Sequence, residues 1–204
     1  MVRFSVGALL VAALAAQTPV LRKGVSVQMP VTTSAAAMPG ADTADALVVA
    51  VTGRGTVYLD ITTVTPAELS GKLRAQLTGP GKRVYLKGDA RTPHSRVVEV
   101  LDALRTAGVN APSLLTSQHD SASASASYVT PMGLEVMLAP PAPGGAEFVT
   151  LKPGNPDAEL KQHMRGNGPV VLQADGTATF GDVIHTIDIL HGAGAKVYLT
   201  TEAK

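Results

Sequence analysis

Two aspartates, Asp89 and Asp175, occupy matching places in the sequence where a carboxylate could do chemistry. Each ends a short apolar stretch typical of a buried strand and precedes a stretch typical of a helix. Two carboxylates that converge can share acid–base work, but nothing in the sequence brings this pair together. A strand-end carboxylate also accepts hydrogen bonds from the N–H groups of its own loop. The pattern favours that second role, so we interpret both residues as strand-end turn acids.

Other residue types that support catalysis show no motif. The five histidines have neither i, i+4 spacing nor a nearby acidic cluster, which argues against a metal site. Cysteine is absent, and this excludes disulfides, thiolate metal sites and thiol nucleophiles. The run from Gly79 to Lys82 lacks the upstream glycine and the Ser/Thr of a phosphate loop. We therefore expect no enzyme activity, no cofactor and no metal.

The composition is typical of a globular chain, and the N-terminal residues are typical of an exported one. Apolar residues make up 45% of the 204 residues and charged residues 16%, which suffices for a core. The formal net charge of +1 gives no basic field for nucleic acid. After Arg3, an uncharged run from Phe4 to Leu21 predicts either a signal peptide, with an A-x-A site at 13–15, or a membrane anchor over residues 1–23. Either alternative exports the remainder.

An internal repeat divides the exported part in two. The run Val84 to Asp89 matches Val170 to Asp175, and the match continues without a gap to Gly108 and Gly194. Asp and Gly keep register with the apolar positions, which a chance apolar pattern would not do. The Ser/Ala-rich stretch between the copies is typical of a flexible linker. The predicted organisation is a first unit over residues 24–117, a linker over 118–127, and a shorter second unit over 128–204.

Each unit is predicted to be α+β, a mixed β-sheet with two helices on one face. In the first unit, Thr65-Pro66-x-Glu68 predicts a capped helix, and a second helix follows Thr92-Pro93. The second unit has lost most of the strand hairpin of residues 47–60, and its first helix is cut to Ala158–Arg165. Four polar residues of the second helices are expected at the surface: Asp102, Asp188, His185 and His191.

Two further segments are candidate partner-binding strands. Both alternate apolar and polar residues and lie between Pro/Gly-rich stretches; their apolar positions are Val25, Val27 and Met29 in one and Leu134, Val136 and Leu138 in the other. A short strand of this kind can add to the edge of a sheet in its own unit, in its sister unit or in a partner. Packing within the chain and binding of a partner both remain open.

The first unit resembles the extracytoplasmic domain of the ExbD/TolR family. The resemblance rests on Gly55-x-Val57-Tyr58-Leu59-Asp60, on Thr65-Pro66-x-Glu68-Leu69, on Val84 to Ala90, and most specifically on the run from Pro93 to Val109. It implies a single-pass protein of the inner membrane with a periplasmic domain. Such proteins work with an ExbB/TolQ/MotA-like motor subunit, and a TonB-like protein and the cell wall are further expected contacts.

One departure from the family bears on mechanism. The resemblance implies an intramembrane Asp that relays protons, whereas this sequence has no carboxylate before Asp42 and has Ser5 near the corresponding place. Either the chain has lost proton coupling, or its start is misplaced and a longer N-terminus carries that Asp. Two functional hypotheses follow: an accessory component of a proton-driven envelope complex, or a module secreted to the periplasm that binds protein or cell wall without a motor. In both, tandem copies are expected to pack as an intramolecular pseudo-dimer, leaving the processed chain monomeric.

Overall fold

The computed structural model describes residues 24–79, 81–118, 130–139, 144–153, 160 and 168–201. The elements in chain order are β1 (Val31–Thr32), β2 (Ala36–Ala37), a 3₁₀ turn (Pro39–Asp42), β3 (Leu47–Val51), β4 (Val57–Leu59), β5 (Thr62–Val64), α1 (Pro66–Gln76), β6 (Val84–Gly88), α2 (His94–Thr106), β7 (Ser113–Gln118), β8 (Met132–Glu135), β9 (Met137–Ala139), β10 (Glu147–Leu151), β11 (Pro169–Ala174), α3 (Phe180–Gly192) and β12 (Lys196–Thr200).

These strands form two sheets, and the α+β prediction is confirmed. The first sheet has eight strands in the order β2-β8-β7-β6-β3-β4-β5, with β1 beside the end of β7, and it mixes parallel and antiparallel pairs. The second sheet has the order β10-β11-β12-β9, and its described pairs are all parallel. The apolar runs at Val84 and Val170 account for the central strands, since strands covered on both faces are apolar throughout.

Local sequence signals set the bounds of the helices. Thr65 accepts a hydrogen bond from the Glu68 N–H while the Glu68 carboxylate accepts one from the Thr65 N–H, which completes the predicted capping box of α1. Thr179 and Asp182 form the same box on α3. Beyond α2, Gly108 has φ of 90°, a conformation that favours glycine and stops the helix.

A single apolar cluster joins the two units. Its members come from the helix-bearing face of each sheet and from all three described helices; among those fully enclosed are Leu69, Leu86, Leu101, Leu172, Phe180 and Ile187. Burying a side chain of this size contributes about 1.5–3 kcal/mol. A smaller cluster covers the opposite face of the first sheet and contains Met38, Tyr85 and Leu115. Residues 38–46 supply that second cover.

The segment from Met132 to Ala139 links the two sheets. It is not one strand, as the alternation predicted, but two strands broken at Val136. β8 pairs antiparallel with β7 of the first unit, and β9 pairs parallel with β12 of the second. Beyond the break, the Leu138 N–H still donates to the Asn110 carbonyl at 2.8 Å, in the register that β8 has with β7, so the segment stays beside the first unit while β9 pairs with β12.

The predicted strand at Val25–Met29 is extended but pairs with neither sheet. The N–H of Gln28 donates to the Asp89 carboxylate at 3.2 Å, and its carbonyl accepts from the Ala90 N–H at 2.8 Å. The segment is therefore bound to the loop that ends β6. The ladder with β7 begins later, where Val31 pairs with Ser117.

Several predictions fall on residues outside the described part of the chain: the anchor or signal peptide at 1–23, nearly all of the linker, and the second-unit helix Ala158–Arg165 except Leu160. In the residues that are described, no helix combines the length and the apolar character needed to cross a bilayer.

Candidate functional site

The loops that follow β6 and β11 meet face to face. We name residues 89–95 and 175–181 the paired loops. Pro93 and Thr179 form an antiparallel bridge. On one side of it the His94 N–H donates to the Ala178 carbonyl at 2.8 Å, and on the other the Phe180 N–H donates to the Thr92 carbonyl at 2.8 Å.

A second pair of hydrogen bonds repeats this exchange farther from the bridge. The Ser95 N–H donates to the Gly176 carbonyl at 3.0 Å, and the Gly181 N–H donates to the Ala90 carbonyl at 2.9 Å. Each bond in one direction has a counterpart between corresponding residues in the other direction. This reciprocity is the geometry of a two-fold contact, in which the same patch is used on both sides.

The paired loops are also packed tightly by Phe180. Its ring is fully enclosed, and it lies against Gly88, where a Cβ atom would come within 2.3 Å of a ring carbon. His94 occupies the corresponding position of the first unit and is 1% exposed. Neither ring nitrogen of His94 has a hydrogen-bond partner. Burial lowers the pKa of His94 to about 4, so the ring is neutral at pH 7.

Asp89 is fixed by its own loop and by the N-terminal segment. Its carboxylate accepts hydrogen bonds from the Arg91 guanidinium at 2.9 and 2.8 Å, from the Arg91 N–H and from the Gln28 N–H. The Arg91 side chain is the main cause that lowers the pKa of Asp89 to about 2. Because Arg91 is 70% exposed, solvent screens this bidentate ion pair and reduces its contribution to stability.

Asp175 has the corresponding position in the second unit, with simpler contacts. Its carboxylate accepts from the Thr177 hydroxyl at 2.6 Å and from the Thr177 N–H at 2.8 Å, and the hydroxyl bond is the first cause of its lowered pKa. Asp89 and Asp175 share no hydrogen-bond partner. General-acid work at neutral pH needs a pKa near 7, so two carboxylates with lowered pKa values are suited to closing their loops.

Asp188 is buried rather than solvated, which corrects the expectation for this residue. It is 6% exposed and binds the segment between β1 and β2. Its carboxylate accepts from the Thr33 N–H at 2.8 Å, the Ser34 N–H at 2.8 Å and both hydroxyls. Burial raises the pKa of Asp188, but the bonds from Ser34 and Thr33 outweigh burial and lower it overall. Its counterpart Asp102 is half exposed and pairs with Arg105.

Two other polar residues are more enclosed than the sequence indicated. His191 is half-buried, and its Nε2 atom is enclosed without a partner, whereas His185 is exposed as predicted. Lys87 lies in β6 at 3% exposure, and burial lowers its pKa, opposed by the charge of Asp42. The one sequence signal for Lys87 is a lysine inside an otherwise apolar strand.

The candidate partner-binding residues divide into a buried and a partly exposed set. Leu134, Val136 and Leu138 are at most 5% exposed and belong to the common core. Val25, Val27 and Met29 are half-buried. Val27 lines an open groove of about 640 Å³ beside the Asp89–Arg91 pair, at the turn between β3 and β4. Only the second set is available to a partner in this arrangement; its use by one remains a prediction.

Comparison with known proteins gives one family. A family model described as Biopolymer transport protein ExbD/TolR matches residues 6–119, more than half of the chain. The matched region contains the first unit and its half of the paired loops. No significant match is found among curated proteins or among solved structures.

Proposed function

Because the chain belongs to the ExbD/TolR family of biopolymer transport proteins, we propose that it acts as a non-catalytic component of an energy-transducing complex in the cell envelope. The observation that carries this proposal is the extent of the match, which runs from Val6 through the whole of the first unit. The inner-membrane setting, with residues 24–204 in the periplasm, is part of the proposal.

The second unit is proposed to be a shortened copy of the same domain. Corresponding residues make corresponding bonds: the Asp89 N–H donates to the Val51 carbonyl and the Asp175 N–H to the Leu151 carbonyl, both at 2.9 Å. The reciprocal bonds of the paired loops support an intramolecular pseudo-dimer, in which one chain presents two family domains in fixed relation.

An accessory role is proposed because Ser5 stands near the place where the resemblance puts the family's intramembrane Asp. A hydroxyl such as that of Ser5 does not carry a proton as a carboxylate does, so the proton relay would belong to another subunit. The proposed partners are an ExbB/TolQ/MotA-like motor subunit in the membrane and a TonB-like protein or the cell wall on the periplasmic side.

Affinity purification of the tagged chain from detergent-solubilised membranes tests this function. We expect a polytopic motor subunit to copurify with it. In the matched control, residues 1–23 are replaced by the cleavable signal peptide of an unrelated exported protein, and copurification should be lost. A chain found in the membrane fraction with no motor subunit, under conditions that retain a known motor complex, would contradict the proposal.

The A-x-A sequence at 13–15 favours a second candidate function, a processed periplasmic module that binds protein or cell wall. Mass spectrometry of the mature N-terminus separates the two. Cleavage near Ala15, together with release by osmotic shock, supports the periplasmic module; an intact residue 1–23 segment in the membrane fraction supports the motor component.

A further inference from the structure

Strand β10 ends the second sheet with one edge open. It pairs with β11 from Glu147↔Val170 to Leu151↔Ala174, and no other strand of the described chain adjoins it. The Leu151 carbonyl accepts a bond from the Asp175 N–H beyond β11, so its backbone groups face that neighbour. Backbone groups alternate in direction along a strand. The backbone N–H and C=O groups of Phe148 and Thr150 therefore point away from β11, towards the open edge.

The first unit shows how an equivalent edge is closed. β3 pairs with β6 in the register that β10 has with β11, so Val48 corresponds to Phe148 and Val51 to Leu151. On its outer edge, β3 carries β4 in antiparallel pairing, with Ala50 opposite Tyr58. The Val48 carbonyl accepts from the Asp60 N–H at 2.8 Å. An antiparallel strand is thus the cover that this edge takes.

The described part of the second unit has no strand in that place. The connection from β3 to β6 spans residues 52–83 and contains β4, β5 and α1, whereas that from β10 to β11 spans residues 152–168. The outer faces of the two sheets also differ in their cover. Val48 is fully buried in the cluster that residues 38–46 cover, while Phe148 is 65% exposed and is one of three large apolar side chains exposed in the described chain.

We propose that the open edge of β10 pairs antiparallel with β10 of a second copy of this chain. With the two-fold axis at Val149, Phe148 lies opposite Thr150 of the second copy, and Glu147 lies opposite Leu151 of the second copy. The N–H and C=O groups of Phe148 then bond the C=O and N–H groups of Thr150 in the second copy. The two-fold symmetry gives the same pair of bonds on the other side of the axis. No like charges oppose each other, a requirement for a stable antiparallel pair.

The same register covers the exposed ring. Phe148 pairs with Val171, and Val171 pairs with Tyr198. The three side chains therefore lie on one face of the sheet, the outer face, opposite the common core. The two Phe148 residues are diagonal neighbours across the axis. Diagonal residues lie about 7–8 Å apart, a distance over which aromatic side chains can make contact. The contact joins the four-stranded sheets of the two copies into one sheet of eight strands.

This dimer goes beyond the proposed function and is separate from the intramolecular contact of the paired loops. It departs from the expectation of a monomer, which rested on the two tandem copies packing on each other. A pair of five-residue strands is a small interface, at the low end of specific contacts. We accordingly expect reversible association in the micromolar range.

Cysteine pairing tests the register, because the natural chain has no cysteine. Phe148→Cys and Thr150→Cys chains are prepared separately and oxidised alone or mixed. Directly opposed residues lie about 5.5 Å apart at Cα, within disulfide range, whereas diagonal ones exceed it. We expect the mixture to form cross-linked dimer at least fivefold faster than either variant alone. Equal rates in all three samples would overturn the register.

Sedimentation equilibrium of the full chain tests the dimer itself. Phe148→Ser should weaken association at least tenfold, and Ile61→Ser, which removes an exposed side chain beside β5 of the first sheet, should leave it unchanged. Far-UV circular dichroism confirms that both variants fold. A natural chain that stays monomeric at about 100 μM overturns the proposal, including the case in which another protein supplies the strand.

Discussion

Replacing His94 by Phe should remove most of the loss in the free energy of unfolding that this protein shows between pH 7.5 and pH 5.0. The folded pKa of His94 is about 4, below the unfolded value of 6.5, so the unfolded chain binds the proton more tightly. Stability is therefore complete above about pH 7 and falls as the pH drops from 6.5 towards 4. The full difference amounts to about 3 kcal/mol, of which about 2 kcal/mol is lost by pH 5.

Phenylalanine is the appropriate substitution because Phe180 already occupies the corresponding place in the other unit. Urea unfolding of the purified chain at pH 7.5 and pH 5.0 measures the effect. The carboxylates with lowered pKa values, Asp89 and Asp188, lose their contribution mainly below about pH 5 and affect this interval little.

The natural chain should lose about 2 kcal/mol more than the His94→Phe chain between the two pH values. His191 also has a lowered pKa, so a smaller loss persists in the variant. His185→Gln, at an exposed position, is the matched control and should retain the parental loss. If His94→Phe loses as much stability as the natural chain, His94 is not the buried neutral group that the structure shows.

Three further substitutions, each with a comparison variant, are tested by urea unfolding at pH 7.5. Two concern contacts between the units, and the third concerns the cap of α3. Gly88→Ala should destabilise the fold by about 1–3 kcal/mol, since its methyl group meets the enclosed Phe180 ring, whereas Gly71→Ala, in open space on α1, should stabilise it by about 0.5–1 kcal/mol; equal effects would contradict the packing. Asp188→Asn should cost about 1–3 kcal/mol and speed hydrogen exchange at residues 31–37, while Asp102→Asn changes stability by under about 0.5 kcal/mol; unchanged exchange would refute the role of Asp188. Thr179→Ala should cost about 1 kcal/mol through loss of the α3 cap, whereas Thr179→Ser, which keeps the capping hydroxyl, should cost clearly less; equal losses would contradict the cap assignment.

Features that depend on nearby residues could be predicted from the sequence. The capping boxes at Thr65 and Thr179 each involve residues three positions apart, and Gly108 stops its helix through its own backbone. Asp175 is of the same kind, because it bonds Thr177 two residues ahead, whereas Asp89 bonds Arg91 two residues ahead and also the distant Gln28. Periodicity and turn chemistry contain this information.

Features that join distant residues could not be predicted in this way. Asp188 lies on a helix face that looks polar, and its burial depends on Ser34, which is 154 residues away. The change of partner at Val136 depends on β12, where Tyr198 pairs with Met137 from a distant part of the chain. The alternation of Val25, Val27 and Met29 predicted a strand, but the segment forms none, and the partner of Gln28 is a loop, which alternation does not reveal.

The placement of β8 has a consequence for the order in which the protein can fold as it is made or exported. The antiparallel neighbour of β7 is supplied by residues 132–135, which follow the linker rather than precede it. A chain that emerges from the N-terminus can assemble β3, β6 and their helices first, but the β7 side of that sheet stays exposed until about Glu135 has appeared. Closure of the first unit and the start of the second are thus one event, and a fragment cut in the linker would leave residues 113–116 of β7 as a bare edge beside the short pairing with β1.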